Sequence, residues 1–121
     1  MHDEVIDLAA LHRLLEVIGG DPDDFAELVG DYVGSTPALA AKIHDAADSM
    51  DWETVFRTAH TLKSNARDFG AKRLATLCES LESSSRQGDV DSLEAVISEI
   101  EIEEAAARQA LQEIRVEDVL D

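Results

Sequence analysis

Apolar residues in this chain recur at intervals of three and four and nowhere alternate with a period of two over a useful length. Amphipathic helices meet that pattern, each hiding one stripe against its neighbours, and no strand is expected. The first segment opens on Asp7 as N-cap, with Leu8, Leu11, Leu14, Leu15 and Ile18 on one face and Val5 and Ile6 as a short lead-in. Gly19-Gly20 ends it, because glycine tolerates the left-handed turn that closes a helix. The second opens with Asp21 as cap, Pro22 at the first helical position, and Asp23 and Asp24 at the positive end of the dipole. Its stripe reads Phe25, Leu28, Val29, Tyr32, Thr36, Leu39, Ile43, Ala46, Ala47 and Met50, and continues through Pro37. Proline removes one helical hydrogen bond and crowds the preceding turn. The expectation is one long helix kinked near Ser35-Thr36-Pro37, or two nearly collinear helices with Thr36 capping the second.

A third helix follows Asp51 and covers about 51–69, with Gly70 at its end. A fourth runs from about Ala71 to Arg86, turning Leu74, Leu77, Cys78 and Leu81 inward. After a short Ser-Arg-Gln-Gly-Asp connection, Asp91 and Glu94 have the spacing of a capping box. The fifth helix then carries Leu93, Val96, Ile97, Ile100, Ala107, Leu111 and Ile114, and Glu117 to Asp121 are expected to fray. Short connections make successive long helices antiparallel. The expected fold is all-α: an up-and-down antiparallel four-helix bundle with the N-terminal helix packed across one end, a single domain over residues 1–121. With only five aromatic residues, the apolar set is dominated by Ala and Leu, which favours helix over sheet.

The formal charge of −17 argues against nucleic acid or an anionic membrane as partner. It is unevenly spread. Six bases and three acids between Arg57 and Arg86 leave a net of +3, whereas the rest of the chain has four bases and 24 acids, a net of −20. The locally basic window is suited to an anionic group or an acidic partner pocket. No apolar run is long enough to span a membrane, and no charged-then-apolar leader is present. The single Cys78 excludes an internal disulfide and fits a reducing cytosol.

Within the basic window, Val55, Ala59, Leu62, Ala66 and Phe69 form the apolar stripe of the third helix. His60 lies about 140–160° away from that stripe, with Lys63, Ser64 and Arg67 on its side. Folding the chain back at Gly70 brings position 60 level with about position 80. Phe56, His60, Lys63 and Arg67 on one helix and Glu79, Glu82 and Arg86 on the next are offset from their stripes in the same sense, so the two sets should border one groove. A histidine nucleophile needs one unprotonated ring nitrogen, and a carboxylate accepting from the other nitrogen sets the tautomer. Glu82 is the candidate for that task, with Glu79 as the substitute. Lys63 and Arg86 could give charge-assisted hydrogen bonds to a tetrahedral anion on the ring. Phe56, Ser64, Arg67 and Glu79 are the expected partner-facing residues, and small Ser64 leaves room for an incoming surface.

The run Ala59-His60-Thr61-Leu62-Lys63-Ser64-Asn65-Ala66-Arg67-Asp68-Phe69-Gly70-Ala71, followed by Leu74-Ala75, Cys78-Glu79 and Leu81-Glu82, resembles the histidine-containing phosphotransfer (HPt) domain family. The family pattern is His-x-Leu-Lys-Gly-Ser-Ala, a later Gly-Ala, and a Leu-Cys-x-x-Leu-Glu segment on the next helix. The similarity spans about Asp7 to Ile114. Ser64 stands where the family has glycine, which keeps the position small. The resemblance implies that His60 is phosphorylated on its ε nitrogen, with Lys63 as the motif lysine and Glu82 and Arg86 flanking the ring. It also implies a cytoplasmic phosphorelay carrier, with no ATP site or autokinase activity of its own. Such a carrier takes a phosphoryl group from one receiver aspartate and passes it to another. Partners would be receiver domains of response regulators or hybrid histidine kinases, docking on a monomer. No cofactor is expected on this chain; Mg2+ would belong to the receiver. Two other readings are a helical interaction module that has lost the chemistry, and the substrate domain of a chemotaxis-type kinase.

Other features carry less. His2, His12 and His44 lack comparable company and read as surface or partly packed. No two histidines have helical metal-ligand spacing, and Cys78 sits on an apolar stripe as a small core residue. Asp68-Phe69-Gly70 matches a kinase magnesium-loop triplet, but it ends a helix in a chain without a glycine-rich phosphate loop.

Overall fold

Aspartates start the first three helices by accepting backbone N–H groups that would otherwise lack a partner. In this computed structural model, which describes residues 5–88 and 91–120, Asp7 Oδ1 accepts from Ala9 N–H at 3.1 Å and opens α1 (Leu8–Val17). Asp21 accepts from Asp23 and Asp24 and opens α2 (Pro22–Asp48). Asp51 Oδ1 accepts from Thr54 N–H at 3.2 Å and opens α3 (Trp52–Asp68). α4 (Lys72–Gln87), α5 (Leu93–Glu113) and the short α6 (Val116–Leu120) follow, and no strand occurs among the described residues.

α2 is one helix through Pro37, the first of the two expected forms, and Thr36 does not cap a second one. Its side chain is fully buried, and Oγ1 donates to Glu104 Oε2 on α5 at 3.0 Å. Met50 leaves the α2 stripe because the helix has already closed. It takes φ 58° while its N–H and that of Asp51 bond back to the Ala47 and Ala46 carbonyls, so its side chain is exposed. Ser92, not Asp91, is the N-cap of α5. Residues 116–120 are helical rather than frayed: Val119 is buried, and its carbonyl oxygen lies 3.0 Å from His12 Nδ1 on α1. His2, Asp89 and Asp121 lie outside the described residues.

α2 packs on α3 and α5, and α4 packs on the same two helices, which closes a four-helix arrangement. Phe25, Ile43, Val55, Leu62, Leu81 and Ile100 meet in its core. Full burial of such a side chain contributes roughly 1.5–3 kcal/mol. α1 packs on α3 and α6. Its start is joined to the α3–α4 turn: Asp7 N–H donates to the Gly70 carbonyl at 2.8 Å, and Lys72 Nζ lies 3.0 Å from Asp7 Oδ2. Gly70 has φ 77°, and a Cβ there would fall 2.6 Å from the Asp7 carbonyl oxygen. Glycine is therefore required twice at this turn, for its backbone conformation and for the close approach of α1. The turn sets how α3 faces α4, and through that the surroundings of His60. No helix among the described residues is long and apolar enough to cross a membrane.

Candidate functional site

α3 anchors one face and displays another. Val55, Ala59, Leu62 and Ala66 have no exposed surface, and Phe69 packs against Tyr32 with ring centroids 4.7 Å apart. On the opposite side the His60 side chain is 60% exposed. Its Nδ1 lies 3.1 Å from Glu82 Oε2, contributed by α4. Lys63, three residues along the same face of α3, places Nζ 2.7 Å from the other carboxylate oxygen, Oε1. The Glu82 and Lys63 side chains are only 11% and 14% exposed, so this ion pair sits at the base of the groove with the imidazole above it.

The protonation pattern follows from these contacts. Burial alone would raise the Glu82 pKa, but the bonds from Lys63 and His60 outweigh it and hold the carboxyl below its ordinary 4.5. An ionised carboxylate only accepts, so Nδ1 carries the hydrogen of the His60–Glu82 bond. The neutral ring then keeps its lone pair on Nε2, the nitrogen away from Glu82. The arrangement is an exposed, oriented nitrogen nucleophile backed by a buried anion.

The remaining candidates fall around this pair. Arg86 lies over the Phe56 ring, 4.7 Å from its centroid, one turn from the His60–Glu82 contact on both helices. Arg67 pairs with Glu79 at 3.3 Å, so Glu79 serves that arginine and does not reach the ring. Ser64 is exposed one turn after His60. The Lys63 ammonium is engaged by Glu82 within the groove.

Sequence reasoning missed the second buried polar cluster. Glu104 is 3% exposed and accepts from Thr36 Oγ1 and from Arg108 Nε at 2.9 Å. The signal was present: Glu104 continues the apolar spacing of Ile97, Ile100, Ala107 and Leu111 on α5. The buried Tyr32 hydroxyl has no hydrogen-bond partner among the described residues, and burial together with the Glu104 charge pushes its pKa up. Cys78 is fully buried, and burial and the Glu82 charge push its thiol up to about 12, so it serves as a small core residue. His44 is exposed beside Glu101 and Asp48, and His12 is half-buried against α6. Among the described residues no group of three His, Cys, Asp or Glu side chains is placed to hold a metal ion.

Comparison with known proteins gives a consistent answer. The family model of the Hpt domain matches residues 27–117. The crystal structure of histidine-containing phosphotransfer protein B (HptB) from Pseudomonas aeruginosa PAO1 superposes with a TM-score of 0.80 at 30% sequence identity, covering 92% of this chain and 97% of that one. The HPT domain from the Hpt sensor hybrid histidine kinase of Shewanella superposes with a TM-score of 0.70, covering 88% of this chain and 93% of that one. At 24% identity, that second likeness speaks to the fold. No curated protein matches the chain.

Proposed function

This chain belongs to the Hpt domain family, and from that premise we propose that it carries a phosphoryl group on His60 between receiver aspartates in a two-component phosphorelay. A role in histidine phosphotransfer follows from the family. The assignment of His60, and of a shuttle between two receivers, rests on one observation above all. An exposed imidazole has its Nδ1–H held by a buried, ionised Glu82, which leaves Nε2 available as the nucleophile.

In the forward step, His60 Nε2 attacks the phosphorus of a receiver's aspartyl phosphate in line. The P–N bond forms as the P–O bond to the aspartate breaks, and the electron pair departs on the receiver's carboxylate. Nδ1 keeps its proton throughout. The ring gains positive character as it is phosphorylated, and Glu82 faces that charge across 3.1 Å. Lys63 keeps Glu82 ionised and in place. The divalent cation of the transfer belongs to the receiver. The reverse step hands the group to a second aspartate. Exposed Ser64 and half-buried Phe56 border the docking surface, together with the Arg67–Glu79 pair. The chain has no task in ATP hydrolysis and works as a phosphocarrier rather than an autokinase.

The test is transfer from a labelled phospho-receiver. Label should appear on this chain in an acid-labile, base-stable form and be absent from His60→Gln. Transfer to His60→Gln at the native rate, or no transfer from any member of a receiver panel, would overturn the assignment.

A further inference from the structure

Four cations flank His60 on α3 and α4. Three are matched to carboxylates: Arg57 to Glu53, Lys63 to Glu82 and Arg67 to Glu79. Arg86 has no such partner among the described residues; it rests on the face of Phe56. Phe56 in turn is half-buried yet stands apart from the apolar cluster of the core. Among the described residues its ring is set against the guanidinium rather than the core. A guanidinium carries five N–H donors, and one ring face cannot occupy all of them, so donors remain for an anion. Arg86 also lies in the last turn of α4, where the helix dipole favours a cation. Phe56 precedes His60 by one turn and Arg86 follows Glu82 by one turn, so the antiparallel pairing places their contact one turn along the groove from the nucleophile.

We propose that Phe56 is a positioning residue for phosphoryl transfer: it holds Arg86, the cation not neutralised within the groove, where its N–H groups meet the phosphoryl oxygens as they reach His60. The inference rests on the phosphocarrier reading for its biological use, but its geometry can be tested without a receiver. A loose arginine on a helix surface samples many rotamers, and the aromatic face removes much of that freedom before the phosphate arrives. Phe56 acts only through Arg86, so its contribution should vanish when Arg86 is absent.

The experiment loads His60 from phosphoramidate and follows phosphohistidine formation by 31P NMR. The proteins are the native chain, Phe56→Leu, Phe56→Tyr, Arg86→Ala and Phe56→Leu/Arg86→Ala, each checked for a native melting curve. Phe56→Leu should load about threefold more slowly, the worth of an exposed cation–π contact, while Phe56→Tyr keeps the native rate. Arg86→Ala should be slower by about tenfold, the loss of a charge-assisted hydrogen bond. The double variant should be no slower than Arg86→Ala. Native-rate loading by Phe56→Leu would overturn the proposal. So would a double variant slowed by the product of the two single effects, since Phe56 would then act apart from Arg86. Receiver-driven transfer on the same set separates the two readings. Coupled loading from phosphoramidate with no transfer from receivers supports the positioning role and sinks only the carrier.

Discussion

Replacing Glu82 by glutamine keeps the shape of the side chain and removes one of two acceptor oxygens. In the native groove those oxygens serve two donors, His60 Nδ1–H at 3.1 Å and the Lys63 ammonium at 2.7 Å. Glutamine has one carbonyl oxygen and one NH2 for the same pair. If the carbonyl faces His60, the NH2 is pressed against a largely buried ammonium. If it faces Lys63, the NH2 donates to Nδ1 and the ring proton moves to Nε2, which quenches the nucleophile. A hydrogen bond from a cation is worth about 1.5–3 kcal/mol against about 1 for a neutral one, so the carbonyl should turn to Lys63. A preference of about 1 kcal/mol leaves roughly one ring in six in the reactive tautomer, and the lost anion beneath the ring lowers the rate further. The expected outcome is transfer slowed by about tenfold, with stability reduced by about 1–2 kcal/mol. Stopped-flow transfer from a phospho-receiver gives the rate, and 15N NMR of His60 reads the tautomer. Adding Lys63→Met should release the carbonyl back to Nδ1 and recover part of the rate. Native-rate transfer by Glu82→Gln, with His60 still protonated on Nδ1, would refute this account of the groove.

The same carboxylate makes stability depend on pH. Its folded pKa lies below 4.5, so in the window between the two values the unfolded chain binds more protons. The stabilisation is full above that window and is lost as pH falls through it. The gap in denaturation midpoint between native chain and Glu82→Gln should therefore close in acid; a gap unchanged from neutral pH to well below 4.5 would contradict it. Leu62→Ala, at a site with no exposed surface, should destabilise by about 2–5 kcal/mol, and an unshifted urea midpoint would show that the α3 register is wrong. Gly70→Ala combines a left-handed backbone with a Cβ driven into the Asp7 carbonyl, so a loss of about 2 kcal/mol or more is expected. Hydrogen exchange should then show the Asp7 amide, bonded to Gly70 in the native fold, losing protection, and a native midpoint with a protected amide would count against the close approach.

Most of the architecture was written locally. Caps at Asp7, Asp21 and Asp51, the glycine closures at Gly19 and Gly70, and stripes spaced by three and four are properties of single helices, and each can be read without a neighbour. The outward aspect of His60 follows in the same way, since rotation about one helix axis is set by counting residues from Leu62. The groove beside it was reachable because a one-glycine turn leaves α3 and α4 few ways to pair. Where local signals compete, tertiary contacts decided: Met50 fits the α2 stripe, but the helix closes before it, and Val119 reads as a loose end until α1 is there to cover it.

Lys63 shows the division most clearly. Its place on the His60 side of α3 is fixed by sequence spacing, but the direction of a long flexible side chain is not. Only α4, by presenting the Glu82 carboxylate in the groove, turns the ammonium toward the pair and away from open solvent. Thr36 and Glu104 make the same point in the interior, where two polar side chains sit on apolar stripes of helices far apart in the chain. Helix periodicity assigns each of them a face. Whether a polar group can occupy that face depends on a partner that arrives only when the bundle closes, because leaving a buried donor or acceptor unsatisfied costs free energy.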